Sequence, residues 1–250
     1  MIEAVLFDGD QTLWDFQRVM REALVAVIDE IRVARPGAFS DALRWQDLER
    51  DRVVVGVELD GVEWSLAALR VHGFGRTLER RRDVEGGDEA ADAALAEQLS
   101  AFYFHHRDRD PALFPDTVPC LDALHDRYRL GLLSNGSRLP ERVGLARYFE
   151  SVVFAQDHRV AKPDKGIFEI VERELGVGPR ACLLVGDHPL YDVAGAKRAG
   201  WLAVWIDRDG GGAFDPHPGC DEHPDAIVTT LSDLPDALEA LAASAARAGD

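Results

Sequence analysis

Short runs of apolar residues recur along the chain and alternate with segments that have amphipathic helical spacing. The apolar runs are Ala4–Phe7, Leu130–Leu133, Val152–Phe154, Cys182–Val185, Leu202–Ile206 and Ala226–Val228. The helical segments among them are Gly166–Leu175, Val193–Ala199 and Leu234–Leu241. Strands that are apolar along their whole length need cover on both faces. The pattern therefore predicts an α/β fold with a mostly parallel sheet between two layers of helices.

A long stretch of helical pattern interrupts this alternation after the first run. Helices are predicted there at Phe16–Ile31, Asp41–Arg50, Val62–Val71 and Ala90–Phe104, with breaks at "RPGAF", Gly73–Gly75 and "VEGGDE". The prolines of "RDRDPALFPDTVP" mark the return to the sheet. We therefore expect a core domain of residues 1–14 and 116–250, with a helical domain of residues 15–115 inserted into it.

The acidic balance of the chain restricts the partners that it can bind. Its 250 residues include 45 acidic and 28 basic side chains, for a formal net charge of −17. Such a charge disfavours nucleic acids and anionic membranes, and no apolar segment reaches the length of a membrane span. We expect no nucleic-acid or membrane partner. An anionic substrate would need a metal ion or a basic side chain placed at its binding site.

The cysteines and the first residues of the chain indicate a reducing compartment. Cys120, Cys182 and Cys220 lack the paired spacing of a disulfide framework, and no signal-peptide pattern is present. We therefore expect a cytoplasmic protein. Cys220 and His223, within "CDEH", have a spacing that occurs in metal sites, but no second pair lies nearby. A surface loop is expected there instead.

Polar residues cluster where four of the predicted strands end. The carboxyl ends of parallel strands meet at one edge of a sheet, so these residues are expected to share one crevice. They are Asp8 and Asp10 after the first run, Ser134 and Asn135 after the second, Lys162 beyond the third, and Asp187 and Asp192 after the fourth.

This set of side chains suits metal-assisted phosphoryl chemistry. Clustered carboxylates repel one another unless a cation is present, and Mg²⁺ prefers oxygen ligands and is often shared with a substrate phosphate. Lys162, the Ser134 hydroxyl and backbone N–H groups near Asn135 can hold phosphoryl oxygens. One carboxylate can attack phosphorus, and a second can give and take protons.

Four motifs, in order, resemble those of the haloacid dehalogenase (HAD) superfamily: "FDGDQTLWD", "LLSNGS", "AKPDKGIF" and "VGDHPLYDVAGAKRAG". The helical insertion after the first motif resembles the C1-type cap of subfamily I. The resemblance implies a Rossmann-like core with an inserted cap domain. It also implies a role for each motif residue. These are Asp8 as nucleophile, Asp10 as general acid/base, Ser134, Asn135 and Lys162 as phosphate ligands, Thr12 as support for the first loop, and Asp8, Asp10 (through its backbone carbonyl), Asp187 and Asp192 around Mg²⁺.

The function implied by the resemblance is that of a Mg²⁺-dependent phosphatase. It would hydrolyse a small phosphorylated metabolite through an aspartyl phosphate on Asp8, as a monomer or homodimer. Dehalogenases that resemble this chain lack a carboxylate at the place of Asp10, because a halide leaves without a proton. Three alternatives stay open: a phosphotransferase such as a sugar phosphomutase, a 2-haloacid dehalogenase, and a non-catalytic binding protein. The sequence does not identify the phosphorylated substrate.

Three further places have two interpretations each. Trp14 belongs either to a hinge that senses cap closure or to packing between cap and core. His188 faces either solvent or the site, and solvent is favoured. The segment Phe102–Arg107 either packs within the cap or touches substrate, and packing is favoured.

Overall fold

The computed structural model describes residues 2–59, 65–109, 111–211, 214–216, 218 and 221–248. Cys220, half of the "CDEH" spacing, lies outside these residues. The chain divides into two compact units, one made of Met1–Phe16 with Pro111–Asp250 and the other of Gln17–Asp110. Within the described ranges, no helix combines the length and the apolar character that a membrane span requires.

The first unit holds the strands and the second holds most of the long helices. The strands are β1 Ala4–Phe7, β2 Arg129–Ser134, β3 Ser151–Phe154, β4 Cys182–Gly186, β5 Leu202–Ile206 and β6 Ala226–Val228. The α-helices are α1 Phe16–Ala34, α2 Ala38–Ala42, α3 Trp45–Glu58, α4 Leu66–Glu85, α5 Glu89–Arg107, α6 Thr117–Leu124, α7 Ala155–His158, α8 Lys165–Leu175, α9 Gly195–Ala199 and α10 Leu234–Ala248. Short 3₁₀ turns occupy Pro140–Val143, Ala146–Tyr148, Pro179–Ala181 and Leu231–Asp233, and a π turn occupies Pro189–Ala194.

The six strands form one sheet in the order β3-β2-β1-β4-β5-β6, and every neighbouring pair is parallel. Strand β1 lies at the centre, with Phe7 opposite Leu132 of β2 and Val185 of β4. The residues that follow β1, β2 and β4 therefore meet at one edge. This arrangement confirms the predicted α/β fold class.

The two faces of the sheet carry separate hydrophobic cores. Val5 and Phe7 point into one core, which α6 and α10 cover. Ala4 and Leu6 point into the other, which α8 and α9 cover. Successive side chains of a strand point to opposite faces, so a central strand covered on both sides has no polar position. That requirement explains why the predicted strands agree with the observed ones to within one residue.

The unit Gln17–Asp110 has its own core, formed by α1, α3, α4 and α5. Buried charged groups within it are paired. Arg70 donates from Nη1 to Glu49 at 2.9 Å and from Nη2 to the Tyr103 hydroxyl at 3.0 Å. Tyr103, in the segment Phe102–Arg107, is buried and packs in this core.

The helices of this unit differ from prediction at three places. The helix expected over Val62–Val71 begins at Leu66 with Ser65 as its N-cap, and residues 62–64 lie outside the described part of the chain. The helix expected over Asp41–Arg50 is split between α2 and α3, because the Asp47 carboxylate accepts a hydrogen bond from the Arg44 backbone N–H at 2.9 Å and starts a new helix. The break expected at Gly73–Gly75 is wrong, since α4 continues through it. A Cβ atom at Gly73 would lie 3.1 Å from the Arg52 Cα of α3. The glycine therefore permits close packing of two helices instead of ending one.

The two glycines of α4 provide a matched test of this explanation. A Cβ at Gly75 would meet no described atom within 4 Å. We expect Gly75→Ala to raise the free energy of unfolding by about 0.5–1 kcal/mol, because alanine is the better helix former. Gly73→Ala should lower it by about 1 kcal/mol, because the added methyl group crowds the α3 backbone. Urea unfolding measures both. Equal stabilisation by the two variants would contradict the packing role of Gly73.

Candidate active site

The loop after β1 presents Asp8 and Asp10. Asp8 continues the hydrogen bonding between β1 and β4, because its backbone N–H donates to the Val185 carbonyl at 2.9 Å. Its side chain is buried. The chain then turns sharply. Gln11 adopts a left-handed conformation with φ of 63°, and the Leu13 N–H donates back to the Gly9 carbonyl at 2.9 Å. The turn keeps Asp8 and Asp10 at the edge of the sheet.

A cavity of about 170 Å³ lies at this edge. Every predicted site residue except Thr12 lines it. The lining residues are Asp8, Asp10, Gln11, Ser134, Asn135, Gly136, Lys162, Asp187, His188, Tyr191 and Asp192. The topology therefore brings together the four motifs that the sequence analysis placed in one crevice.

The Lys162 ammonium lies between two carboxylates inside this cavity. Its Nζ is 2.7 Å from Asp8 Oδ1 and 2.6 Å from Asp192 Oδ1, and the residue is 3% exposed. Burial by itself lowers the pKa of Lys162, but the charges of Asp192 and Asp8 raise it above the ordinary value. The two carboxylates therefore favour the charged form of the Lys162 side chain within the cavity.

Asn135 holds the backbone that carries this lysine. The Lys162 N–H donates to Asn135 Oδ1 at 2.9 Å, and Asn135 Nδ2 donates to the Lys162 carbonyl at 3.0 Å. The predicted role of Asn135 was phosphate binding, whereas here its amide pairs with protein backbone. The Ser134 hydroxyl oxygen accepts from the Gly136 N–H at 3.1 Å, which leaves its own O–H available as a donor.

Three carboxylates in the cavity form a group of metal-ligand type. One oxygen from each of Asp8, Asp187 and Asp192 lies within 4.8 Å of the others. Burial, with the charges of Asp192 and Asp8, raises the pKa of Asp187 to about 8. Burial likewise raises the pKa of Asp8, and Lys162 opposes that shift. Three carboxylates facing a single ammonium are short of positive charge, so their chemistry fits a hard divalent cation such as Mg²⁺.

The loop after β4 orients Asp192. A Cβ atom at Gly186 would lie 2.3 Å from Asp192 Cγ, so only glycine permits this approach. Asp192 Oδ2 accepts from the His188 backbone N–H at 2.9 Å. The carboxylate is therefore held at both oxygens, by a backbone donor at one and by Lys162 at the other.

His188 lines the cavity and also has a structural role. Its Nδ1 accepts from the backbone N–H groups of Leu190 and Tyr191, at 3.2 and 3.3 Å. The imidazole also stacks on the Tyr191 ring, with centroids 4.1 Å apart. A solvent-facing loop histidine was favoured from the sequence. The structure instead gives it a capping role at the rim of the site.

Trp14 contacts Asp10 directly. Its indole Nε1 donates to Asp10 Oδ1 at 2.6 Å, and the side chain is only 1% exposed. The ring lies against the backbone at Gly9, where a Cβ atom would be 2.3 Å from Trp14 Cζ2. The sequence offered a hinge or packing between cap and core as interpretations of Trp14, and it carries no signal for this hydrogen bond.

The loop after β1 is braced through a backbone carbonyl. The Thr12 hydroxyl is buried and has no hydrogen-bond partner among the described residues, so the support predicted for its side chain is not made by a hydrogen bond. Instead, Arg208 Nη2 donates to the Thr12 carbonyl at 2.6 Å. Arg208 also binds Asp116 at 2.9 Å and lies 3.8 Å from the Phe114 ring centroid. Sequence reasoning missed Arg208, which has no motif around it.

Comparison with known families agrees with this geometry. Residues 2–200 match the family described as "Hydrolase: haloacid dehalogenase-like hydrolase". The match includes all of the residues that line the cavity. It confirms the resemblance drawn from the four motifs and the expectation that the chain is a hydrolase.

Some similar proteins are named as enzymes that act on phosphorylated compounds, and others are named as dehalogenases. A glyceraldehyde 3-phosphate phosphatase of Methanopyrus kandleri is 29% identical, over 97% of this chain and 99% of its own. The pyrimidine 5′-nucleotidase YjjG of Escherichia coli is 31% identical, over 81% of this chain and 84% of its own. The crystal structure of a 2-haloacid dehalogenase from Pseudomonas syringae pv. tomato has a TM-score of 0.66 and 31% identity, with coverages of 96% and 100%.

The position of Lys162 between carboxylates predicts a large effect of its removal. Lys162→Met in EDTA should lower the free energy of unfolding by about 3–5 kcal/mol, because buried carboxylates lose their cation. Adding Asp192→Asn to the same chain should restore part of that loss. Lys165→Met is the control, since Lys165 pairs with Glu169 at the surface and should matter by less than about 1 kcal/mol. Similar losses for the two lysine variants in urea unfolding would contradict the assignment.

Proposed function

The chain belongs to the family of haloacid dehalogenase-like hydrolases, and from that premise we propose that it is a Mg²⁺-dependent phosphatase that works through an aspartyl phosphate on Asp8. One observation carries the proposal. Asp8 shares a cavity with a buried ammonium, with two further carboxylates suited to a metal ion, and with a separate carboxylate on Asp10. The cavity thus holds a nucleophile, a group that binds anions, groups that bind a cation, and a group that transfers protons.

The proposed metal ligands are the carboxylates of Asp8, Asp187 and Asp192, together with the Asp10 backbone carbonyl that the family resemblance implies. When bound, Mg²⁺ supplies positive charge that offsets the clustered carboxylates and the substrate phosphate. The protein contributes a second positive charge in Lys162, whose Nζ contacts both Asp8 and Asp192. This ammonium favours the ionised form of Asp8, which a nucleophilic carboxylate requires, against the burial that raises its pKa.

In the first step, an Asp8 carboxylate oxygen bonds to phosphorus while the bond from phosphorus to the substrate oxygen breaks. The Asp10 carboxylic acid gives its proton to that departing oxygen, which leaves as an alcohol. Lys162 and the Ser134 hydroxyl donate to the phosphoryl oxygens that do not react. They thereby stabilise charge that builds up in the transition state.

In the second step, the ionised Asp10 takes a proton from water. The water oxygen bonds to phosphorus, and the bond from phosphorus to the Asp8 carboxylate breaks. Phosphate leaves, and both carboxyl groups return to their starting protonation states. Asp8 and Asp10 thus divide the work between bond formation and proton transfer.

The substrate class is proposed to be a small phosphate monoester. The cavity of about 170 Å³ suits a phosphoryl group with a short part of its leaving group. Relatives named for glyceraldehyde 3-phosphate and for pyrimidine nucleotides support small monoesters. We further propose that the helical unit Gln17–Asp110 is the cap domain of the protein. Closure of such a cap excludes bulk water and selects the leaving group.

A 2-haloacid dehalogenase is the second candidate, favoured by the name of the solved structure that is 31% identical. Asp10 argues against it, because a halide leaves as a stable anion and needs no proton. The partly buried hydrogen bond from Trp14 to the Asp10 carboxylate also fits a residue with a task in the reaction. Release of chloride from 2-chloropropionate, unaffected by Asp10→Asn, would favour the dehalogenase over the phosphatase.

Phosphate release is the direct test of the proposed reaction. The substrates are glyceraldehyde 3-phosphate, uridine monophosphate and p-nitrophenyl phosphate, each with Mg²⁺ or EDTA. We expect the wild type to release phosphate with Mg²⁺ and not with EDTA, and Asp8→Asn to release none that can be detected. For Asp10→Asn with uridine monophosphate, the rate of release should fall by about 10²- to 10⁴-fold. Asp126→Asn, at an exposed carboxylate, should match the wild type. Equal turnover by Asp8→Asn and wild type would refute the nucleophile assignment.

Metal binding is tested separately, without turnover. The melting temperature of the wild type is expected to rise with Mg²⁺. The corresponding gain in the free energy of unfolding is about 2.7 kcal/mol when Mg²⁺ exceeds its Kd about 100-fold. Asp187→Asn removes one carboxylate of the cluster and should abolish most of the shift, whereas Asp126→Asn should keep it. An undiminished shift in Asp187→Asn would place the metal elsewhere.

A further inference from the structure

The hydrogen bond between Trp14 and Asp10 gives the tryptophan a part in the reaction. We propose that Trp14 is a positioning residue. Its indole N–H fixes the Asp10 carboxyl group in the orientation from which it protonates the leaving group. The inference rests on the proposed phosphatase function. It gives a role to a side chain of the first motif that acts through the general acid/base.

The Trp14 ring is held firmly enough to serve as a fixed donor. It is 1% exposed and lies against the Gly9 backbone, where a Cβ atom would be 2.3 Å from Cζ2. The Trp14 carbonyl accepts from the Gln11 N–H at 2.9 Å, and its backbone also bridges to Leu113 in the returning segment. Neither the ring nor its backbone can move without disturbing the turn that carries Asp10.

The contact also distinguishes the two oxygens of the Asp10 carboxyl group. An indole N–H is only a donor, and Oδ1 accepts from it at 2.6 Å. Because a carbonyl oxygen is a stronger acceptor than a hydroxyl oxygen, this bond favours the acid form in which Oδ2 carries the proton. A Cβ atom at Gly136 would lie 3.0 Å from that oxygen, which places Oδ2 beside the loop after β2. Ser134, the proposed phosphate ligand, is the last residue of β2.

This arrangement defines the proton path. In the first step the Oδ2 proton moves to the departing substrate oxygen as its bond to phosphorus breaks, and the electron pair of that bond stays on the oxygen. In the second step Oδ2 takes a proton from the attacking water. The hydrogen bond from Trp14 to Oδ1 is compatible with both protonation states, so Asp10 keeps its orientation throughout.

The variant Trp14→Phe removes the N–H and keeps an aromatic ring. With uridine monophosphate, whose alkoxide must be protonated as it leaves, we expect kcat/KM to fall about tenfold, a fraction of the general-acid contribution. This ratio covers only the steps up to release of the alcohol, so the later attack of water, which is common to all substrates, does not enter it. With p-nitrophenyl phosphate, whose phenolate leaves without protonation, kcat/KM should fall less than about twofold. Asp10→Asn should show the same dependence on the leaving group with a larger amplitude.

Trp201→Phe is the matched control. The Trp201 indole also donates to a carboxylate, Glu172 Oε1 at 2.8 Å, and the residue is 2% exposed, but it is not among the residues that line the cavity. Its loss should lower the melting temperature about as much as Trp14→Phe does and leave both substrates unaffected. Replacement of Trp14 by 3-benzothienylalanine removes the N–H from a ring of the same shape. That variant repeats the test if the phenylalanine variant does not fold.

A double-mutant cycle separates positioning from a general structural effect. In an Asp10→Asn background, Trp14→Phe should cause no further loss with uridine monophosphate, because the group it positions is no longer an acid. Equal losses of kcat/KM with both substrates, a further loss of kcat/KM in the Asp10→Asn background, or values that match those of Trp201→Phe would overturn the role of Trp14.

The same data distinguish this inference from the proposed function. If the wild type releases phosphate from neither substrate, or if Asp8→Asn remains as active as wild type, the phosphatase proposal fails and the role of Trp14 fails with it. If Asp8→Asn is inactive and Asp10→Asn depends on the leaving group while Trp14→Phe does not, only the role of Trp14 is wrong.

Discussion

The buried ammonium of Lys162 is the interaction on which the site depends. It touches Asp8 and Asp192, which follow different strands, at 2.7 and 2.6 Å. Without it, carboxylates that the fold brings within 4.8 Å of one another would carry no compensating charge. The amide of Asn135, bound to both backbone groups of Lys162, fixes the lysine from a third strand end. One ammonium thus ties together the edge of the sheet.

The strand order explains why such a cluster forms here. Strand β1 lies between β2 and β4, so the residues after these three strands are neighbours although they are far apart in sequence. A parallel sheet leaves its last backbone groups and the following side chains at one edge, which is where polar groups can be placed without entering either core. Close packing then needs small residues. Gly186 admits the Asp192 carboxylate, and Gly9 admits the Trp14 ring.

The sequence predicted the features that follow from repeated local patterns. Wholly apolar runs identified the strands, and polar residues after four of the six runs identified most of the lining of the cavity. Contacts that depend on side-chain packing were not predictable. Arg208 reaches the Thr12 carbonyl from a loop 196 positions away, and no local pattern marks a donor to a backbone oxygen. Gly73 was interpreted as a helix break because its packing against the Arg52 backbone is a contact between two helices.

The two aspartates of the first motif acquire different roles from different donors. Asp8 faces an ammonium, and a full positive charge favours the ionised carboxylate that attacks phosphorus. Asp10 accepts a hydrogen bond at Oδ1 from an uncharged indole N–H, a bond that both the acid and the ionised carboxyl group can accept. Two identical side chains separated by one glycine can therefore divide nucleophilic and acid–base work. The division depends on which neighbour donates to each, and that is a property of the fold and of Trp14, not of the aspartates alone.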